Sequence, residues 1–347
     1  MRFTTSFKYK MLRKSLTLEN IKKGVKRPTE SIDELLFEVL YRTPVTYINT
    51  KTTIGTNVFS LDWDVLILLD TCRVDALREV ADEYSFLEDI GRIRSVGGRS
   101  PEWIAKTFEK QYSSQISDTA YLSANVFAEK ILVDHDPETV SLSESTMAYK
   151  QLRKIPTVDA EDLGKFEYLY TYESVGEEGP LGHIEGGTPP RYVTDRGIAV
   201  GRQKGFSRII LHYLQPHPPY AANAVAEDRD LHRYEKDWWG YLADTGDRET
   251  IWNAYLDELR SVLDEVEILL NNLDVETVAL SADHGESFGE YWEHGHKTGS
   301  LNPYVRYVPW VTMTANDKNT YEPRFEAPSS QPETRKEDQL EALGYRM

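Results

Sequence analysis

Val275-Glu276-Thr277-Val278-Ala279-Leu280-Ser281-Ala282-Asp283-His284-Gly285-Glu286 is the stretch around which the chain is organised. Its first six residues are β-branched and apolar enough for a buried strand. That strand runs directly into an Asp-His pair and a glycine. In an open α/β sheet, ligands and metals sit where strands run out. A carboxylate beside an imidazole at such an end suits a divalent metal site.

Working outward, Asp64-Val65-Leu66-Ile67-Leu68-Leu69 is a second apolar run of strand length, and it stops at Asp70. Such a run fits a central parallel strand covered on both faces. Val74, Leu77, Val80 and Ala81 follow at helical spacing. Ser100 reads as an N-cap and Pro101 as the first residue of a helix through Tyr112. Thr119 to Ser123, Phe166 to Tyr172, Arg208 to Tyr213 and Tyr307 to Thr314 are further strand candidates. A helix around Val193 to Gly201 and a longer one from Thr250 to Leu273 lie between strands. Strands alternating with helices predict a three-layer α/β/α sandwich around a mostly parallel central sheet. The stretches 173–190 and 221–249 read as long irregular insertions.

Three parts are expected: a basic N-terminal extension over 1–58, a catalytic domain over 59–315, and a polar linker with a terminal helix over 316–347. The extension should hold a short helix opened by the capping box Ser31-Ile32-Asp33-Glu34, and the terminal helix should span Glu337 to Leu343.

The totals narrow the class. At 347 residues with 40% apolar content, the chain can bury a large core. No apolar run reaches the length of a membrane span, and no signal peptide is evident. The single cysteine, Cys72, excludes an intramolecular disulfide and a cysteine-built zinc site. A cytoplasmic location is the expectation. Net charge is −17, yet residues 1–30 carry +7, leaving about −24 for the remainder. An acidic body argues against nucleic-acid binding and suits an acidic enzyme or one soluble in strong salt. The basic leader suits weak contact with an anionic membrane surface.

Five motifs then fall in order. They are Leu69-Asp70-Thr71-Cys72-Arg73-Val74-Asp75; Pro216-His217-Pro218-Pro219-Tyr220; Ser281 to Glu286; Gly295-His296 with Val308-Pro309-Trp310; and Leu340 to Tyr345. Together they resemble the sulfatase-like branch of the alkaline phosphatase/sulfatase superfamily, over roughly residues 60–345. The resemblance implies an alkaline phosphatase-like fold and a metal-dependent hydrolase or transferase acting on a phosphate or sulfate ester. It implies that Asp70, Asp283 and His284 hold one divalent metal ion, with Mn or Zn favoured and Ca or Mg as alternatives. Ser100 would be the nucleophile, with Thr71 or Thr107 as fallbacks. His217 and His296 would contact the ester oxygens or protonate the leaving group, and Arg99 and Lys297 would bind the anionic substrate.

Arg73 is read as the partner of Asp75, His294 as a bystander, and His212 as a packed strand histidine. Asp228 and His232 have ligand-like spacing but lie in an insertion, so one metal is expected. The chain departs from true sulfatases in lacking the Cys/Ser-x-Pro-x-Arg sequence and in having Thr71 beside Asp70. The imidazole of His284 favours a transition metal over calcium. These points favour a phosphodiester, or a phosphoryl-carrying glycan or lipid headgroup. An arylsulfatase-like esterase and a non-catalytic binding protein of the same fold are the alternatives.

Overall fold

The computed structural model describes residues 43–136, 150–171 and 187–325. Seven strands form one sheet: β1 (Val65–Leu69), β2 (Gly91–Arg94), β3 (Thr119–Ser123), β4 (Lys165–Tyr168), β5 (Arg208–Tyr213), β6 (Val275–Ser281) and β7 (Tyr307–Ala315). Their order is β2-β7-β6-β1-β5-β3-β4. The run β6-β1-β5-β3-β4 is parallel, and β7 and β2 add an antiparallel edge. The α/β sandwich with a mostly parallel sheet is therefore the fold of this chain.

Side chains along β1 alternate between two apolar layers because successive residues of a strand face opposite ways. Val65, Ile67 and Leu69 pack with helices Pro190–Arg202 and Arg248–Leu270. Leu66 and Leu68 pack with Trp103, Ile104, Phe108 and Phe127 from the opposite face. All five β1 residues are buried, each contributing about 1.5–3 kcal/mol. A charge at Leu66 or Leu68 would therefore undo the layer that carries helix Ser100–Thr107.

Register sets the site. Leu68 lies level with His212 on β5 and with Ser281 on β6, and Ser123 on β3 is also level with His212. Asp70, Asp283 and the turn after β5 consequently leave neighbouring strands at the same edge of the sheet.

Several expectations need correction. The helix opened near Ser100 ends at Thr107, and a separate 3-10 turn covers Lys110–Tyr112. The stretch 221–249 is largely helical, with Ala222–Glu227, Arg233–Lys236 and Trp238–Thr245. Strand β2 and helix Phe127–Leu132 were not anticipated; each is short, and β2 lacks an apolar run. Residues 316–325 lie against the domain. Asp195 accepts from Tyr321 Oη and from the backbone of Arg324 and Phe325, and Phe325 lies against Tyr192. Asn49, from helix Thr43–Lys51, donates to the Gly299 carbonyl at 3.1 Å. The helices expected after Ser31 and from Glu337 lie outside the described residues, as does most of 173–190.

Candidate active site

Asp70 is the residue after β1, Asp283 lies two after β6, and both are fully buried. His284 follows with its Nδ1 against the Gly285 carbonyl at 3.0 Å. A carbonyl only accepts, so Nδ1 carries the proton and Nε2 faces the site. Nε2 lies 3.2 Å from Ser100 Oγ, 3.3 Å from Asp283 Oδ2 and 3.6 Å from Asp70 Oδ1. Gly285 fits because the chain passes close to its neighbour: an added Cβ would meet the Tyr304 carbonyl oxygen at 2.1 Å.

His212 also belongs here. It is fully buried, its Nδ1 bonds Tyr121 Oη at 2.8 Å, and its Nε2 is 3.7 Å from Asp283 Oδ2. Sequence reasoning placed it as a packed histidine because a histidine within an apolar strand gives no sign of which neighbour it faces. Ligand atoms of Asp70, His212 and Asp283 lie within 4.8 Å of one another. Asp70 Oδ1, Asp283 Oδ2 and His212 Nε2 are all buried without a hydrogen-bond partner. Asp70's other oxygen accepts from Asn125 Nδ2 at 2.7 Å, and Asp283's from the His284 N–H at 2.8 Å. Two buried carboxylates and an imidazole that turn bare acceptors toward one point fit a divalent cation, since each such atom is costly to bury alone.

The electrostatics agree. Burial, and then the charge of Asp283, push the Asp70 carboxyl well up. Burial opposes ionisation of Asp283 too, but the His284 and His212 imidazoles outweigh it and hold Asp283 below the usual carboxylate range. The two carboxylates therefore do not both ionise without a cation between them. Burial lowers His212 to about 4, keeping it neutral, as a metal ligand must be.

A row of imidazoles continues from His284. Its ring centroid is 4.4 Å from that of His296, which is 5.3 Å from that of His217. His296 Nδ1 bonds Glu286 Oε2 at 3.0 Å. Burial pushes the Glu286 carboxyl up to about 7. Burial, then His296, lowers His217 to about 3.

Ser100 opens helix Ser100–Thr107, but Arg99 occupies the cap position and no side chain caps the helix. The expectation that Ser100 is the N-cap is thus corrected: its hydroxyl turns to His284 instead. Buried Glu102 holds this end in place. Its Oε2 accepts the Gly98 and Gly299 N–H groups at 2.9 and 2.8 Å, and its Oε1 pairs with buried Lys106 Nζ at 2.8 Å. Loop and helix thereby share an anchor with the segment that carries His296 and Lys297.

The remaining residues are placed as follows. The Arg99 guanidinium carbon lies 5.8 Å from the Phe127 ring centroid. Lys297 is half-buried on the loop that meets Gly98. Thr71 follows Asp70 with a left-handed φ of 67° and a buried Oγ1. Thr107 sits seven residues along the helix from Ser100, roughly 10 Å by helical rise, and so is too far to replace it. Arg73 does pair with Asp75, at 2.9 Å through Nε, and also with Glu290 at 2.9 Å. His294 packs on Trp239. Asp228 and His232 end and begin short helices in the insertion, and neither belongs to the ligand group found among the described residues.

No family model matches the sequence, and no curated protein matches it. Among solved structures, the chain is similar to lipooligosaccharide phosphoethanolamine transferase A from Neisseria meningitidis, at 12% identity and a TM-score of 0.46, covering 75% of this chain and 49% of that one. It is similar to a putative sulfatase from Bacteroides thetaiotaomicron at 11% identity, with a TM-score of 0.41 over 81% and 70% of the two chains. A protein of the alkaline phosphatase superfamily from Vibrio parahaemolyticus aligns at 10% identity, with a TM-score of 0.36 over 82% and 71%. The chain spans about half the length of the first of these. At such identities the likeness concerns the course of the chain and says nothing of chemistry.

Proposed function

We propose that the chain is a metal-dependent hydrolase or transferase acting on a phosphate or sulfate ester. A phosphodiester, or a phosphoryl-carrying glycan or lipid headgroup, is the favoured substrate. The observation that carries this reading is the convergence of bare, buried Asp70 Oδ1, Asp283 Oδ2 and His212 Nε2 beside a serine hydroxyl 3.2 Å from His284. Asp70, Asp283, His284 and His212 would hold one divalent ion, with Mn or Zn suited to the mixed oxygen and imidazole donors. When bound, such an ion supplies Lewis acidity that lowers the pKa of a neighbouring hydroxyl and offsets charge on the ester oxygens.

The chain's own residues do the rest. Ser100 Oγ, whose proton is released to bulk water as its pKa is lowered, bonds to the phosphorus as the bond to the ester oxygen breaks. His296, beside His284 and bonded to Glu286, donates a proton to the departing alcohol oxygen, while His217, neutral in the free protein, lies next to it against the ester. Arg99 and Lys297, on the two loops that meet at Gly98, contribute positive charge toward the anion. Water or a second hydroxyl then takes the phosphoryl group from Ser100. The phosphoester preference draws support from Cys72, which is buried in the apolar core and has no place at the site as a formylglycine precursor.

Purified protein assayed with Mn or Zn against aryl phosphate monoesters, diesters and aryl sulfates tests the reading. Metal-dependent turnover of a phosphoester is expected. Turnover of aryl sulfates alone would overturn the phosphoester preference, and none at all would leave a binding protein of the same fold.

A further inference from the structure

The turn after β5 has two sides. One presents His217 to the imidazole row. The other lines a cavity of about 310 Å³ with Leu214, Gln215 and Pro219, closed by Pro189, Val225 and residues of helix Arg248–Leu270. His217 itself lines this cavity, so the cavity adjoins the imidazole row, one ring away from His296. Its volume is at the small end of organic ligand sites, which run from about 300 to 1,000 Å³.

The wall carries almost no net charge. Glu265 is bridged on both oxygens by Arg191 at 2.6 Å. Glu258 is buried, accepts the Ala222 N–H at 2.8 Å, and is pushed up to about 8 by burial, so it is largely protonated near neutrality. Prolines, Leu214, Ala221 and Val225 form much of the remaining surface. Gln215 donates to the Thr188 carbonyl at 3.0 Å, which leaves its buried Oε1 as an unpartnered acceptor. Among the described lining residues a second anionic group would find no unpaired cation, whereas an apolar group would find matching surface.

We propose that this cavity is the subsite for the uncharged organic alcohol of the ester, and that it selects substrates by that group. The proposal rests on the phosphoester reading above for the identity of the reaction, but not for the existence of the subsite. Val225 is 48% exposed, and Ser261 lines the cavity half-buried on helix Arg248–Leu270. Val225→Trp and Ser261→Phe each narrow the cavity.

Two measurements on the full chain test this. 1-Naphthol binding is followed by ligand-observed NMR, and kcat/KM is measured for 1-naphthyl phosphate and methyl phosphate with bound metal. Both variants should weaken 1-naphthol at least fivefold and lower the naphthyl-to-methyl ratio of kcat/KM by a similar factor. Taking the ratio between variants cancels the difference in leaving-group reactivity. Weakened naphthol binding without turnover of these monoesters, of aryl phosphate diesters or of aryl sulfates would sink the reaction class and leave the subsite standing. Failure of the wild type to bind 1-naphthol, or binding that neither folded variant weakens, overturns the subsite whatever turnover shows.

Discussion

Replacing Ser100 by alanine distinguishes a packed serine from a reacting one. The hydroxyl is fully buried and makes its contact with His284 Nε2 at 3.2 Å, while the helix start has no side-chain cap to lose. Deleting one hydrogen bond between such groups costs about 0.5–1.5 kcal/mol. No large cavity follows, because only one oxygen is removed. Turnover behaves differently if Ser100 Oγ forms the bond to phosphorus. A loss of roughly three orders of magnitude or more in kcat is expected, equal to about 4 kcal/mol of activation free energy. Thermal unfolding, metal content and steady-state hydrolysis of an aryl phosphate are measured on the same preparation. Wild-type metal content with turnover within tenfold of wild type would refute the reasoning. Thr71, next to Asp70 with a buried hydroxyl, would then be the residue to replace.

Asp283→Ala and His212→Ala should each lower divalent-metal affinity at least tenfold by titration, because each removes a converging donor. In the wild type, metal at a hundred times its Kd should raise stability by about 2.7 kcal/mol, a gain that Asp283→Ala loses. Arg73→Ala should cost about 1.5–3 kcal/mol in denaturant unfolding, since it removes a buried guanidinium that bonds Glu290 and lies over Trp252 and Tyr304, while Glu290 keeps Arg248 and the Phe288 N–H. Arg73→Lys should recover only part, lacking the planar fork that grips Asp75. Glu258 gives a pH signature: its folded pKa of about 8 lies above that of an unfolded glutamate. The folded state therefore holds the extra proton, and this contribution to stability is lost as pH rises from about 4.5 through 8. Unfolding followed across that window should flatten in Glu258→Gln.

The strands were legible because burial on both faces leaves a continuous apolar run, as in Val65–Leu69 and, more briefly, in residues 278–280 of β6. The proximity of Asp70, Asp283 and His284 followed from their position at strand ends. His212 was not legible, because its role depends on β5 pairing with β1 at a register that sequence does not display. Asn125 and Glu102 were missed for a related reason: each acts on a partner 55 or 197 positions away, through a contact that only the folded chain creates. Ser100 was found but for a mistaken local reason, since its place before Pro101 suggested a cap rather than a hydroxyl aimed at His284.

Glu102 also limits how the mouth of the site can move. Its one carboxylate bonds Gly98 on the serine side and Gly299 on the side of His296 and Lys297. Glu102 and Gly98 move together, so parting these two loops would strip the Gly299 N–H from a carboxylate that water does not reach, a step costing about 1–3 kcal/mol. That flank is therefore a fixed jaw. Any opening of the site is left to the flank of short helices between Ala222 and Thr245, which are joined by turns and carry exposed Val225 and Trp239.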